Sequence, residues 1–128
     1  MSPETINYFA VAEKQLAQAE RALAAELYEF AAREAYLTAL SAARAIIFEK
    51  TGDAPKTHSG ARSQLTMLQR SGLPIDPLFV TFLATGFELK SDLDYGPVTP
   101  VDKDAAEKAL SLARAFVKAA RAVLARDD

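Results

Sequence analysis

The sequence predicts an all-α fold: an up-and-down bundle of four principal helices plus one short helix. Apolar residues recur at three- and four-residue spacing through long segments, whereas strict alternation never persists beyond a few residues. In addition, Pro3, Gly52, Pro55, Gly72, Pro74 and Pro77 fall where such helices would start or stop. The 128 residues make a single domain, large enough to bury a core unaided.

The first helix is expected over residues 3 to about 27. Ser2 is placed to cap it, and Pro3 suits the first helical position, where its missing N–H is no loss. Phe9, Leu16, Leu23 and Phe30 recur every seven residues, with Ala12 and Ala19 three further on, the pattern of a bundle seam. A tight bend near residues 27–29 leads to a second helix running to Lys50, with Gly52 as its C-cap and Pro55 preventing continuation.

The second helix has two faces. Ala35, Ala39, Ala42, Ala43 and Ile46 gather on one, where small side chains let a neighbouring backbone approach, so this is the core side. Arg33, Leu37, Leu40 and Arg44 gather opposite. They form either a partner surface of leucine area with an arginine rim, or a face covered by another helix of the same chain.

The short third helix spans about residues 59–70, opened by the Thr57 and Ser59 hydroxyls and closed by Ser71-Gly72; Leu65 and Leu68, with Met67 between, give it a modest apolar face. Asp76 as cap and Pro77 at the first position then open a fourth helix. Its Leu78, Phe79, Phe82, Leu83, Phe87 and Leu93 read as a wide core face. Residues 96–100 form the one clear loop, and Asp102 caps a fifth helix whose Leu110, Ala113, Phe116, Val117, Ala120, Val123 and Leu124 repeat at helical spacing.

Composition narrows the chemistry. With no cysteine and one histidine, disulfides, thiolate metal ligation and cysteine nucleophiles are excluded and a structural zinc site is nearly out of reach; no metal or cofactor is expected. No apolar run approaches a membrane span, and Met1-Ser2-Pro3-Glu4 lacks the features of a secretion signal, so the expectation is a cytoplasmic protein. A net charge of −2 argues against strong stand-alone binding to nucleic acid, whose affinity comes largely from neutralised phosphates.

The sole histidine lies in Lys56-Thr57-His58-Ser59-Gly60. Lys56, His58 and Arg44 are candidates for a phosphate or ligand site, since a lysine and free helix N–H groups suit an anion. The bland alternative is a histidine at a helix start that bonds backbone groups and packs under the fourth helix. Lys90 and Asp94 are four apart and can pair along one helix, a contact that alone implies no function. Asp94 and Tyr95 either tie that helix end to the Gly96 loop or line a cleft.

Taken in order, Tyr36 with Ala39, Ala43-Arg44-Ala45, Lys56 to Gly60, and Lys90 followed by Asp94-Tyr95 resemble the HEPN domain family, and most closely its small uncharacterised prokaryotic branch. The resemblance covers roughly residues 29–124. It implies a helical bundle, a homodimer with Arg33, Leu37 and Leu40 as candidate interface residues, and a small nucleotidyltransferase as possible partner in a toxin–antitoxin or stress system. It also permits nucleotide binding or a metal-independent ribonuclease. HEPN ribonucleases, however, place a histidine four to six residues after an arginine, and no arginine here is so followed. Lys90 stands where the branch usually has arginine. Lys90, Asp94 and Tyr95 would have to replace the usual site, and a tyrosine of pKa about 10 is a poor general base.

Overall fold

Ser2 adopts an extended backbone and its hydroxyl accepts from the Thr5 N–H, while Pro3 occupies the first turn, so α1 (Pro3–Ala24) starts as its sequence dictates. α2 (Tyr28–Thr51), α3 (His58–Arg70), α4 (Pro77–Tyr95) and α5 (Lys103–Ala125) follow. This computed structural model describes residues 1–96 and 100–125, and among them there is no strand. The loop expected at 96–100 therefore lies partly outside the described residues.

α1 stops short of residue 27. Glu26 takes a left-handed conformation (φ 62°), and the Leu27 N–H turns back to the Ala22 carbonyl. This reversal resets the seven-residue phase. Phe9, Ala12, Leu16 and Ala19 are buried as expected and Leu23 packs at the core margin, but Phe30 falls on α2 and is 61% exposed.

α2 is the axis of the bundle and touches all four other helices. Its small residues let them approach: Ala35, Ala39, Ala42, Ala43 and Ile46 are fully buried. The helix ends in a left-handed Gly52 (φ 81°). The expectation of an outward leucine face is overturned here. Leu40 is 3% exposed and Leu37 packs at the edge of the core, because a central helix is covered on nearly every side. The alternative reading, cover by the same chain, is what the fold does.

α3 begins at Thr57, whose hydroxyl accepts from the Gly60 N–H, and buries Ala61 and Leu65. Asp76 caps α4 through the Leu78 N–H. α4 buries Phe79, Phe82 and Leu83, but Leu78 (51%) and Phe87 (38%) are exposed. The wide core face expected of α4 is thus narrower, since α4 packs chiefly on α2 and only lightly on α3 and α5. Asp102 caps α5 through the Ala105 N–H, and every apolar position expected of α5 is buried.

Polar groups also fix the bundle. Glu49 on α2 accepts from the Ser2 N–H (3.0 Å) and from the buried Thr5 hydroxyl (2.8 Å), joining the start of α1 to the end of α2. These bonds, the backbone one first, hold the Glu49 carboxyl below its ordinary pKa.

Candidate functional site

Tyr36 reaches from α2 toward α3 and α4, and its ring occupies space that a side chain on α4 would deny it. A Cβ added at Gly86 would lie 2.5 Å from Tyr36 Cδ1, so glycine is what lets the ring in. The Tyr36 hydroxyl then meets His58 Nδ1 at 2.6 Å across the α2–α3 boundary. Phe87 completes the cluster from α4, its ring 4.9 Å from that of His58 and 6.5 Å from that of Tyr36, centroid to centroid.

Burial decides the protonation of this pair. It pushes the Tyr36 phenol up to about 12, against the opposing pull of Arg44 and then Arg62. The phenol therefore keeps its proton, and in the tautomer in which it donates to Nδ1 the imidazole N–H sits on the other ring nitrogen, Nε2. His58 is held below its ordinary value by burial first, then by the positive charges of Lys90 and Arg44. At neutral pH the imidazole is uncharged.

Two turns beyond Phe87 along α4, Asp94 lies between two cations. Lys90 Nζ donates to one carboxylate oxygen at 2.6 Å and Arg33 Nε to the other at 3.0 Å, joining α4 to α2. The hydrogen bonds from Lys90 and then Arg33 hold the Asp94 carboxyl below the usual carboxylate range. The expected Lys90–Asp94 pair is present, but it is no isolated surface pair. The side chains of Lys90, Asp94 and Arg33 are 15%, 21% and 31% exposed.

Other candidates are placed differently. Arg44 turns to the α2–α3 connection, donating to the Pro55 carbonyl (3.4 Å) and the Lys56 carbonyl (2.8 Å). It shares with Tyr8, Ala54, Pro55 and Lys56 a depression of about 200 Å³. Tyr95 is 86% exposed and bonds to nothing among the described residues, so it joins neither Asp94 nor His58. His58 bonds a phenol rather than the backbone groups its bland reading called for, while its packing against α4 is as expected. Sequence reasoning overlooked Tyr36 as a site residue, along with Phe87 and Arg62. The available signals were Tyr36 in the family pattern and Arg62 four residues after the only histidine.

The arrangement is suited to holding a ligand more than to moving protons. His58 Nδ1 is engaged by Tyr36, the Asp94 carboxylate by two cations, and Tyr95 stands apart. Among the described residues no cluster of metal-ligating side chains occurs, and no helix is long and apolar enough to cross a membrane. In comparison with known proteins, the model of the HEPN domain matches residues 7–123. No curated protein matches the chain.

Proposed function

Because the chain belongs to the HEPN domain family over nearly its whole length, we propose that it acts by binding, as a homodimer that partners a small nucleotidyltransferase in a toxin–antitoxin or stress system. One observation carries the preference for binding over cleavage: His58 and Asp94, two titratable groups at family-pattern positions, are each already hydrogen-bonded to another side chain. His58 Nδ1 is engaged by Tyr36 and both Asp94 carboxylate oxygens by cations, which disfavours either group as a base for a ribose hydroxyl. The missing arginine–histidine spacing agrees with this.

HEPN domains commonly dimerise. In this chain the surface best suited to a second copy is the end where α2 starts and α4 finishes. Phe30 lies one turn before Arg33, and Tyr95 follows Asp94, so two exposed aromatics (61% and 86%) flank the Arg33–Asp94 bond. Leu27, 49% exposed, extends the apolar area. Aromatic anchors beside an arginine are the composition that binding surfaces favour. Of the earlier interface candidates, Arg33 stays at this surface and the buried Leu40 does not. Light scattering is expected to give a dimer for the native chain and a folded monomer for Phe30→Glu/Tyr95→Glu. A dimer that survives both substitutions places the interface elsewhere.

A second reading has its own support. Lys56 and Arg44 line one depression, and the positive charge of Arg44 also reaches His58, which is the kind of grouping phosphate recognition by a nucleotide-binding module calls for. Calorimetry with ATP or GTP is expected to show binding that weakens with salt. Absence of heat at millimolar nucleotide would remove this reading.

A further inference from the structure

The five helices are not joined evenly. α1, α2 and α5 pack on one another, whereas α1 packs against neither α3 nor α4, and α3 does not reach α5. α3 and α4 rest on α2 and on each other, with one light contact from α4 to α5, where the Phe79 and Phe116 rings lie 4.8 Å apart between centroids. Their short connection makes the two helices one unit. The Leu73 N–H turns back to the Leu68 carbonyl, Gly72 takes a positive φ (113°) that favours glycine, and Ile75 between the helices is buried. On the other side, the left-handed Gly52 and Pro55 set the unit off from α2.

Few apolar side chains hold this unit down. α3 buries only Ala61 and Leu65, α4 buries Phe79, Phe82, Leu83 and Gly86, and Leu78 and Phe87 stay exposed. Polar contacts do the rest. Tyr36 bonds His58, its ring seated in the notch at Gly86, and Arg33 bonds Asp94 near the end of α4. Arg44 bonds the Pro55 and Lys56 carbonyls where the chain leaves α2 for α3. At 100° per residue, Arg33, Tyr36 and Arg44 fall on one side of α2, so the unit is received along a single face. Regions with few buried apolar contacts open at a lower cost than the whole chain unfolds.

We propose that α3 and α4 form a lid on α2. The pair pivots at residues 52–56 and lifts as one unit while α1, α2 and α5 stay folded, and the Arg33–Asp94 bond is its latch. His58 and Phe87 travel with the lid and Tyr36 stays behind, so opening takes their cluster apart and closing assembles it. The candidate site is thereby gated by the fold itself. The lid is argued from packing and holds whichever partner the protein binds, so its test needs no ligand.

The test is amide hydrogen exchange of the full chain, followed by NMR at low urea under conditions where rates report opening equilibria. Amides within α3 and α4 are expected to exchange about tenfold or more faster than the slowest of α1, α2 and α5, with a weaker dependence on urea because less surface is exposed. Asp94→Asn, which weakens the latch, speeds the amides of α3 and α4 severalfold. Leu16→Val, a core change on α1 away from the lid, speeds the slowest amides of α1, α2 and α5 severalfold and leaves those of α3 and α4 unmoved. Equal protection in all five helices, with every amide sped alike by Leu16→Val, would overturn the lid and make the bundle one cooperative unit. Fast exchange in α4 with α3 as slow as α1 would overturn the pairing of the two helices. Unchanged α3 and α4 rates in Asp94→Asn would overturn the latch.

Discussion

Tyr36 is buried and His58 half-buried, and the burial of this hydrogen-bonded pair makes stability depend on pH. His58 is less basic folded than unfolded, owing to burial and then Lys90 and Arg44. Above the unfolded value near 6.5 both states hold the ring neutral, and its contribution is fully present. As pH falls, the unfolded chain takes the proton first, and stability declines until the lowered folded value is passed. Urea unfolding is expected to show lower stability at pH 5.5 than at 7.5, with a flatter profile for His58→Gln. Asp94 and Glu49, both held below their ordinary values by hydrogen bonds, add their losses as pH falls further, through the unfolded carboxylate values toward the lowered folded ones. Gly86 carries the second residue-scale expectation. Gly86→Ala drives a methyl into the Tyr36 ring and costs about 1–3 kcal/mol by overpacking, read from the same unfolding curves. Neither contact was legible in the sequence. The Tyr36–His58 bond spans 22 residues and the Arg33–Asp94 bond 61, and no local rule pairs side chains at such separations.

At the scale of elements, what the sequence disclosed was whatever is decided locally. Ser2, Thr57, Asp76 and Asp102 accept from N–H groups two or three residues on, and Gly52 closes α2 in the left-handed region. Each is fixed by the chain within one turn, so the helix starts were readable. Faces were less readable, because the number of neighbours a helix has is a property of the assembled bundle. α2 touches four helices and buries Leu40 along with its alanine face; α4 has fewer neighbours and leaves Leu78 and Phe87 exposed. Phe30 continued a seven-residue pattern that the Glu26 reversal interrupts. Leu40→Ala is accordingly a core substitution, expected to cost about 2–5 kcal/mol in unfolding experiments. An unfolding free energy equal to that of the native chain would return Leu40 to the surface.

For the molecule as a whole, the family was legible because its pattern is spread over three helices, and the model match over residues 7–123 agrees with it. The chain's net charge of −2 says nothing of where charge gathers: residues 54–75 carry cations and no carboxylate, and the fold adds the influence of Lys90 and Arg44 on His58. His58 bonds Tyr36 and packs against Phe87, while the Asp94 carboxylate further along α4 is paired with Lys90 and Arg33. These pairings support the proposed role, binding rather than bond cleavage. The most direct test of this account is incubation of highly purified protein with RNA in EDTA, beside Lys90→Ala/Tyr95→Phe. The account predicts no cleavage above background by either protein. Cleavage by the native chain that disappears in the double variant would contradict it and make the end of α4 an active site.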